Sequence, residues 1–168
     1  STTATDAQRY QKLFAYIPAA LHPRIVDALV ICFGVGTTAG AVADLPEVKR
    51  IDVVDVSRDV LEMSDLAYPD PRGHPLRDSR VAVHVEDGRF FLQHTGRRYD
   101  LITAFHVLEH VTRPVPFLRA IRKRLAPGGR VLIEVPNLDD HMIEASAPYR
   151  AFTWQRAAER HEVVYRDA

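Results

Sequence analysis

Strand-length apolar runs alternate along the chain with segments whose apolar residues repeat at helical spacing. The runs occupy residues 28–33, 51–56, 80–85, 99–105 and 131–135. Helical spacing marks residues 6–21, 57–63 and 114–125. Pro18 is expected to kink or end the first helix. The alternation predicts an α/β fold: a parallel sheet with helices on both faces and ligands at the carboxyl ends of the strands.

A glycine turn follows the first apolar run, and an acidic residue ends the second. Gly34 and Gly36 allow the backbone to approach a ligand closely, and the free N–H groups of a following helix attract polar groups. Asp55 stands about twenty residues on, where a ribose hydroxyl would be held. Asp52 alternates with Asp55 and is expected to be a solvent-side or helix-facing charge. Together, the turn and Asp55 predict a nucleoside pocket.

Composition predicts one domain over residues 1–168, with an N-terminal helix within residues 1–26. The chain is 46% hydrophobic, and 22 Lys and Arg balance 22 Asp and Glu. Because no overall basic field exists, no nucleic-acid partner and no anionic membrane is expected. No signal peptide or spanning segment is indicated either. The single cysteine, Cys32, is interpreted as a small buried residue inside the first strand, which favours a cytoplasmic protein.

Five motifs lie in order at the predicted strand ends. They are Gly34-Val-Gly36, Asp55, Glu86-Asp87-Gly88, Val107-Leu-Glu-His110 and residues 125–133, whose Pro-Gly-Gly sequence predicts a turn into the fifth strand. In this order the chain resembles the class I S-adenosylmethionine-dependent methyltransferases. The resemblance implies a Rossmann-like, doubly wound, mostly parallel sheet with strand order 3-2-1-4-5. It also implies S-adenosylmethionine as the cofactor and methyl transfer to a small-molecule acceptor.

The same resemblance assigns cofactor-binding roles. The turn at Gly34 and Gly36 is implied to run alongside the methionine part of the cofactor. Asp55 is implied to bind the ribose hydroxyls. Asp87 is implied to hold the adenine amino group, and Gly88 beside it belongs to the same site. From the residue pattern alone, Asp87 is equally explained as the cap of the helix that follows.

Residues after the fourth strand are the candidates for the acceptor side. The resemblance implies that Phe105 is an apolar neighbour of the sulfonium. It implies the same role for Val56 beside the adenine. His106 is the candidate base or hydrogen-bond partner of the acceptor, with Glu109 as a substitute. The spacing from His106 to His110 also matches the H-x-x-E-H pattern of inverted zinc metalloproteases. Because these residues directly follow a core strand, a helix-capping role is favoured and no metal is expected.

A second family resembles part of the chain. From about residue 6 to residue 102 the sequence is similar to the spermidine synthases, which use decarboxylated S-adenosylmethionine. Two positions depart from that family: Gln11 stands where a histidine is usual, and Thr103-Ala-Phe-His106 replaces the expected Asp-Ser/Thr-x-Asp-Pro. Methyl transfer is therefore favoured, and aminopropyl transfer is the first alternative.

Three further hypotheses concern the cofactor and the end of the chain. The glycine spacing with Asp55 also fits an NAD-dependent oxidoreductase. After the fifth strand, residues 161–166 alone are strand-like and would form a short edge strand. The tail at 138–168 is therefore interpreted as shortened or as completed by a partner, such as a second copy in a homodimer. A non-catalytic homologue is the remaining alternative.

Overall fold

A computed structural model describes residues 2–21 and 24–135. The chain divides after Glu134 into two units, and all described helices and strands belong to the first. The predicted tail at 138–168 and the edge strand at 161–166 lie outside the described residues. Within the described part, no helix has the length and apolarity required to cross a membrane.

Helices and strands alternate as the apolar pattern predicts. The strands are β1 (Asp27–Ile31), β2 (Arg50–Asp55), β3 (Val81–Val85), β4 (Tyr99–Phe105) and β5 (Leu125–Glu134). The helices are α1 (Thr2–Leu21), α2 (Thr37–Ala43), α3 (Arg58–Glu62), α4 (Ser64–Ala67), α5 (Gly88–His94) and α6 (Pro114–Arg124). The side chain of Ser57 accepts a hydrogen bond from the Val60 N–H, so Ser57 is the N-cap of α3.

All five strands are parallel and lie in the order β3-β2-β1-β4-β5, which confirms the predicted sheet. In the central register, Val30 of β1 lies between Val53 of β2 and Thr103 of β4. The chain proceeds outward from β1 to β3 on one side and then continues with β4 on the other side. A crevice therefore opens at the carboxyl end of β1, where ligands of such sheets bind.

Helices pack on both faces of the sheet. On one face, Val30, Val53 and Leu101 form a buried cluster with Ala15 of α1 and Val42 of α2. The residues that alternate with these strand positions point to the opposite face, which α5 and α6 cover. The buried side chains Leu92, Phe117 and Ile121 come from those two helices.

Three local predictions need correction. Pro18 does not end α1, which continues to Leu21, and the predicted kink stays a prediction. Strand β1 ends at Ile31, so Cys32 lies just beyond it with a positive φ of 71° instead of inside the strand. The predicted Pro-Gly-Gly turn lies within β5, because that strand already begins at Leu125. There the pairing of β5 with β4 is irregular, and Gly128 has a φ of 77°.

Asp52 is buried, not a solvent-side charge. Its side chain is 2% exposed and accepts a hydrogen bond from the Tyr99 hydroxyl (2.8 Å). Arg97 Nη1 donates to it at 3.1 Å, and His84 Nε2 lies 2.8 Å from its Oδ1. Burial raises the pKa of Tyr99, so this hydroxyl remains a donor. The carboxylate thus links β2 to β3, to β4 and to the loop before β4.

Replacing Asp52 tests this network. We expect Asp52→Ala to lower the free energy of unfolding by about 2–4 kcal/mol, because it removes the buried carboxylate that Tyr99, Arg97 and His84 share. The exposed Glu47→Ala is the control and should change stability by less than about 0.5 kcal/mol. Urea denaturation measures both. Equal stabilities of the two variants would show that the network adds nothing.

Candidate functional site

A cavity of about 270 Å³ lies at the carboxyl ends of β1, β2 and β4. Five of the nine residues predicted for the site line it: Asp55, Val56, Asp87, Gly88 and His106. Cys32 and Arg89 also contribute to its wall. The cavity is where the reversal of strand order places a ligand site, and its volume is near the roughly 300 Å³ lower limit of small-molecule pockets.

The glycine turn beside this cavity requires glycine at both positions. Gly34 and Gly36 have φ values of 56° and 81°, and the Gly36 N–H donates to the Phe33 carbonyl. A Cβ on Gly36 would lie 2.5 Å from the Phe33 ring, which is itself buried. A Cβ on Gly34 would meet nothing within 4 Å. Gly36 is therefore required by packing and by backbone conformation, and Gly34 by conformation alone.

Asp55 ties the turn to the end of β2. It is 5% exposed, and its Oδ2 accepts the Phe33 N–H at 2.8 Å. Its Oδ1 accepts the Ser57 N–H, also at 2.8 Å. An ionised carboxylate offers about four acceptor positions. Two are thus used by the backbone and one lies against the Cys32 thiol, which leaves acceptor capacity for a ribose hydroxyl that Asp55 is predicted to bind.

Val56 and Gly88 both line the cavity. Val56 is 74% exposed, which is unusual for a large apolar side chain at the end of a core strand. A Cβ on Gly88 would lie 2.8 Å from the Ile31 side chain, so packing favours glycine at this position. The exposed Val56 side chain, with a glycine nearby in the cavity wall, offers an apolar surface on which the face of a flat ring could pack.

Asp87 is the N-cap of α5. It accepts the Arg89 N–H at 2.7 Å, and the Arg89 guanidinium forms an ion pair with it at 2.6 Å. Hydrogen bonding to Arg89 lowers the pKa of Asp87 below its ordinary value. The capping role is therefore present in the structure, while the binding of adenine stays a prediction.

His106 lies between two carboxylates. Its Nδ1 is 2.9 Å from Oε1 of Glu109, and its Nε2 is 3.1 Å from Oε2 of Glu134. The Glu109 side chain is 5% exposed, whereas that of His106 is 42% exposed. Glu109 does not line the cavity, and its contact with His106 suits a residue that orients the imidazole ring. Its role as a substitute base stays a prediction.

The zinc pattern gains no support from this geometry. Across residues 2–21 and 24–135, no group of three or more His, Cys, Asp or Glu side chains has an arrangement that could hold a metal ion. Leu108–His110 forms a single turn of 3-10 helix, so His106 and His110 are not four residues apart on one α-helix as a zinc motif requires.

Phe105 lies on the α1 side of the strand end and does not line the cavity. Its ring packs at 5.0 Å from Phe14 and at 6.1 Å from Tyr10, measured between ring centroids. The His106 ring lies 4.5 Å away on its other side. The predicted contact of Phe105 with a sulfonium stays a prediction, and its observed role is to hold α1 against the acceptor side.

Cys32, Glu134 and Tyr10 are among the residues at the site that were not predicted for it. Cys32 lines the cavity, and burial together with the charge of Asp55 raises the pKa of its thiol to about 11, so it stays neutral. Glu134 and Tyr10 lie next to each other beside His106. Glu134 could have been found from the rule that ligands bind at strand ends, since it ends β5. Tyr10 carries no such signal because it belongs to α1.

A larger cavity, about 620 Å³, lies between α1, α2 and residues 68–80. Its wall includes Lys12, Arg72, Arg77 and Arg80. Arg80 is held by Asp78 and by the carbonyls of the α2–β2 loop, and Arg77 is paired with Asp65. The three arginines are thus paired with carboxylates, Arg72 with Asp70, and none of the nine predicted site residues lines this cavity.

A family model described as a methyltransferase domain matches residues 7–166. The chain belongs to this family. Among curated relatives, the methyltransferase domain is 29% identical over 143 residues to a polyamine aminopropyltransferase of Nitrosomonas europaea, covering 80% of this chain and 42% of that protein. It is also 29% identical to a spermidine synthase of Coffea arabica, covering 83% and 46%. The chain thus spans under half the length of these relatives.

Solved structures support the fold of the methyltransferase domain. The N-methyltransferase NodS from Bradyrhizobium japonicum WM9, in complex with S-adenosylhomocysteine, matches with a TM-score of 0.56 at 22% identity over 77% of this chain and 60% of that one. Spermidine synthase from Thermotoga maritima matches with a TM-score of 0.66 at 19% identity, over 89% and 49%. Both matches confirm the Rossmann-like architecture.

Alanine substitutions in the glycine turn separate packing from backbone conformation. We expect Gly34→Ala to cost about 1–2 kcal/mol of stability, the cost of a side chain at positive φ. Gly36→Ala should cost at least about 2–4 kcal/mol, because its Cβ also collides with the buried Phe33 ring. Urea denaturation of both variants measures the difference. If Gly36→Ala is no less stable than Gly34→Ala, the packing argument is wrong.

Proposed function

We propose that the methyltransferase domain transfers a methyl group from S-adenosylmethionine to a small-molecule acceptor. The observation that carries the proposal is the cavity at the strand ends, where Asp55, Val56, Asp87 and Gly88 adjoin His106. These side chains supply hydroxyl acceptors, an apolar surface and an ionised acid within one space. That combination suits an adenosine group next to a reacting centre.

Each residue would contribute in a way that its surroundings allow. The remaining acceptor capacity of Asp55 would receive the ribose hydroxyls, and Val56 would pack against adenine. Asp87 would accept from the adenine amino group beside its ion pair with Arg89. When bound, S-adenosylmethionine supplies an already activated methyl group, so the protein has to orient the acceptor and exclude water.

His106 is the residue that would face the acceptor. It lines the cavity, it is partly exposed, and Glu109 fixes the orientation of its ring. An imidazole held in this way can hydrogen-bond a hydroxyl or amine and take its proton near neutral pH. As a further part of the proposal, the free Cys32 favours a reducing, cytoplasmic location.

Aminopropyl transfer from decarboxylated S-adenosylmethionine is the second candidate. The names of the curated relatives favour it. Against it stand Gln11 and His106, which replace residues expected of a spermidine synthase. The two candidates share the adenosine site and differ in the group that the sulfonium carries.

Val56 offers the most selective test of the adenosine site. We expect Val56→Asp to weaken the binding of S-adenosylhomocysteine at least about tenfold, because it removes an apolar contact and adds a negative charge beside Asp55 and Asp87. The melting temperature should not change, since Val56 is exposed. Leu66→Asp, at a position 79% exposed and outside the cavity, is the matched control. Calorimetric titration measures the affinities.

Parallel titrations with decarboxylated S-adenosylmethionine and with NAD distinguish the alternatives. A preference for the decarboxylated compound would favour aminopropyl transfer, and binding of NAD alone would favour an oxidoreductase. If none of the compounds binds the unmodified protein, the proposed function is wrong and a non-catalytic homologue remains. If Val56→Asp and Leu66→Asp bind S-adenosylhomocysteine with equal affinity, the adenosine lies elsewhere.

A further inference from the structure

Glu134 and its neighbours form a small site that the steps proposed above leave unused. We propose that this site binds the positively charged amino group of the acceptor, so that the acceptor is an amine. The inference rests on the proposed function, because it concerns the acceptor side of the same reaction. It is carried by the position of Glu134, by the charge around His106 and by the adjoining aromatic rings.

Glu134 occupies the carboxyl end of β5, one strand away from the cavity. Its Oε2 lies 3.1 Å from Nε2 of His106, and its side chain is 19% exposed. The Tyr10 hydroxyl lies next to the same carboxylate, which together with burial raises the pKa of Tyr10. Glu134 is therefore held at the edge of the proposed reacting centre by groups from α1 and from the loop after β4.

The cluster has more negative charge than its own members can neutralise. Glu109 and Glu134 provide two carboxylates, and His106 can supply at most one positive charge. Oε2 of Glu109 is buried and, within residues 2–21 and 24–135, has no hydrogen-bond partner, so this carboxylate gives His106 a single contact. The buried Oε2 of Glu134 has the His106 ring nitrogen at 3.1 Å. One imidazole thus serves two carboxylates, and buried negative charge that is not balanced is costly. A ligand that brings N–H donors and a positive charge to Glu134 would balance the second carboxylate.

Aromatic rings beside Glu134 add a second feature that favours an ammonium group. The rings of Tyr10 and Phe105 meet edge to face, with centroids 6.1 Å apart and an angle of 67° between their planes. Tyr10 is 47% exposed, so part of its ring is open to a ligand. Cations bind over the faces of aromatic rings, and ammonium groups are a common case. An uncharged alcohol gains little from these rings, and a carboxylate would be repelled by Glu134.

The same arrangement suits the chemistry that follows binding. An amine must lose a proton before its nitrogen can accept a methyl group. The carboxylate of Glu134 can hold that proton, and His106 beside it can share it. Glu134 would therefore select the acceptor by charge and prepare it for reaction.

Three small probes with the same carbon chain test the charge preference. We suggest titrating the protein, saturated with S-adenosylhomocysteine, with butylammonium, butanol and butyrate, and following backbone amide chemical shifts by NMR. Butylammonium should bind at least about fivefold more tightly than butanol, and butyrate should not bind. The amides that shift should belong to Tyr10, Phe105, His106 and Glu134.

Variants assign the binding to Glu134. Glu134→Gln should weaken butylammonium binding at least about fivefold while leaving the affinity for S-adenosylhomocysteine unchanged. Glu62→Gln, on the exposed side of α3, is the matched control and should bind butylammonium normally. Tyr10→Leu retains the fold because the side chain is half-exposed, and it should weaken binding about threefold by removing the ring face.

Two results would overturn the inference. One is butanol binding as tightly as butylammonium, and the other is butylammonium binding unchanged in Glu134→Gln. Failure of S-adenosylhomocysteine to bind would instead contradict the proposed function. In that case the butylammonium titration of the ligand-free protein, with the same variants, still decides whether Glu134 binds ammonium groups.

Discussion

The two backbone hydrogen bonds accepted by Asp55 hold the whole site together. The carboxylate is buried at the end of β2, and it fixes Phe33 before the glycine turn and Ser57 before α3. Hydrogen bonds to an ionised oxygen are stronger than neutral ones, and here they compensate for burying the charge. The same group that would bind a ribose therefore also shapes the turn that would pass the rest of the cofactor. Structure and binding cannot be separated at this residue.

Two side chains at the cavity are held in strained backbone conformations. Among the described residues with a side chain, Cys32 and His106 have positive φ values, 71° and 51°. They follow the neighbouring strands β1 and β4, and both line the cavity. Such conformations cost roughly 1–3 kcal/mol each and concentrate at functional sites. His106, in this conformation, has its ring between Glu109 and Glu134.

Sequence patterns predict the sheet well because each parallel strand is buried and strongly apolar. The positions of Asp55, Val56 and Asp87 could be predicted because these residues lie at or just after strand ends. Ser57 could be predicted from the chemistry of helix capping. The patterns fail where contacts between residues distant in sequence determine the structure. Asp52 has the alternation of a surface residue, yet partners distant in sequence bury it. The Pro-Gly-Gly segment has turn composition, but pairing with β4 draws it into β5. Tyr10 reaches the site only because α1 packs beside β4 and β5.

The central claim is that the cavity at the ends of β1, β2 and β4 is an adenosine site. The most direct measurement is a crystal structure of the protein with S-adenosylhomocysteine at saturating concentration. The account predicts the ribose at Asp55 and the adenine between Val56 and Asp87, with the sulfur directed toward His106. An empty cavity at the strand ends, or the ligand bound instead between α1, α2 and residues 68–80, would contradict it.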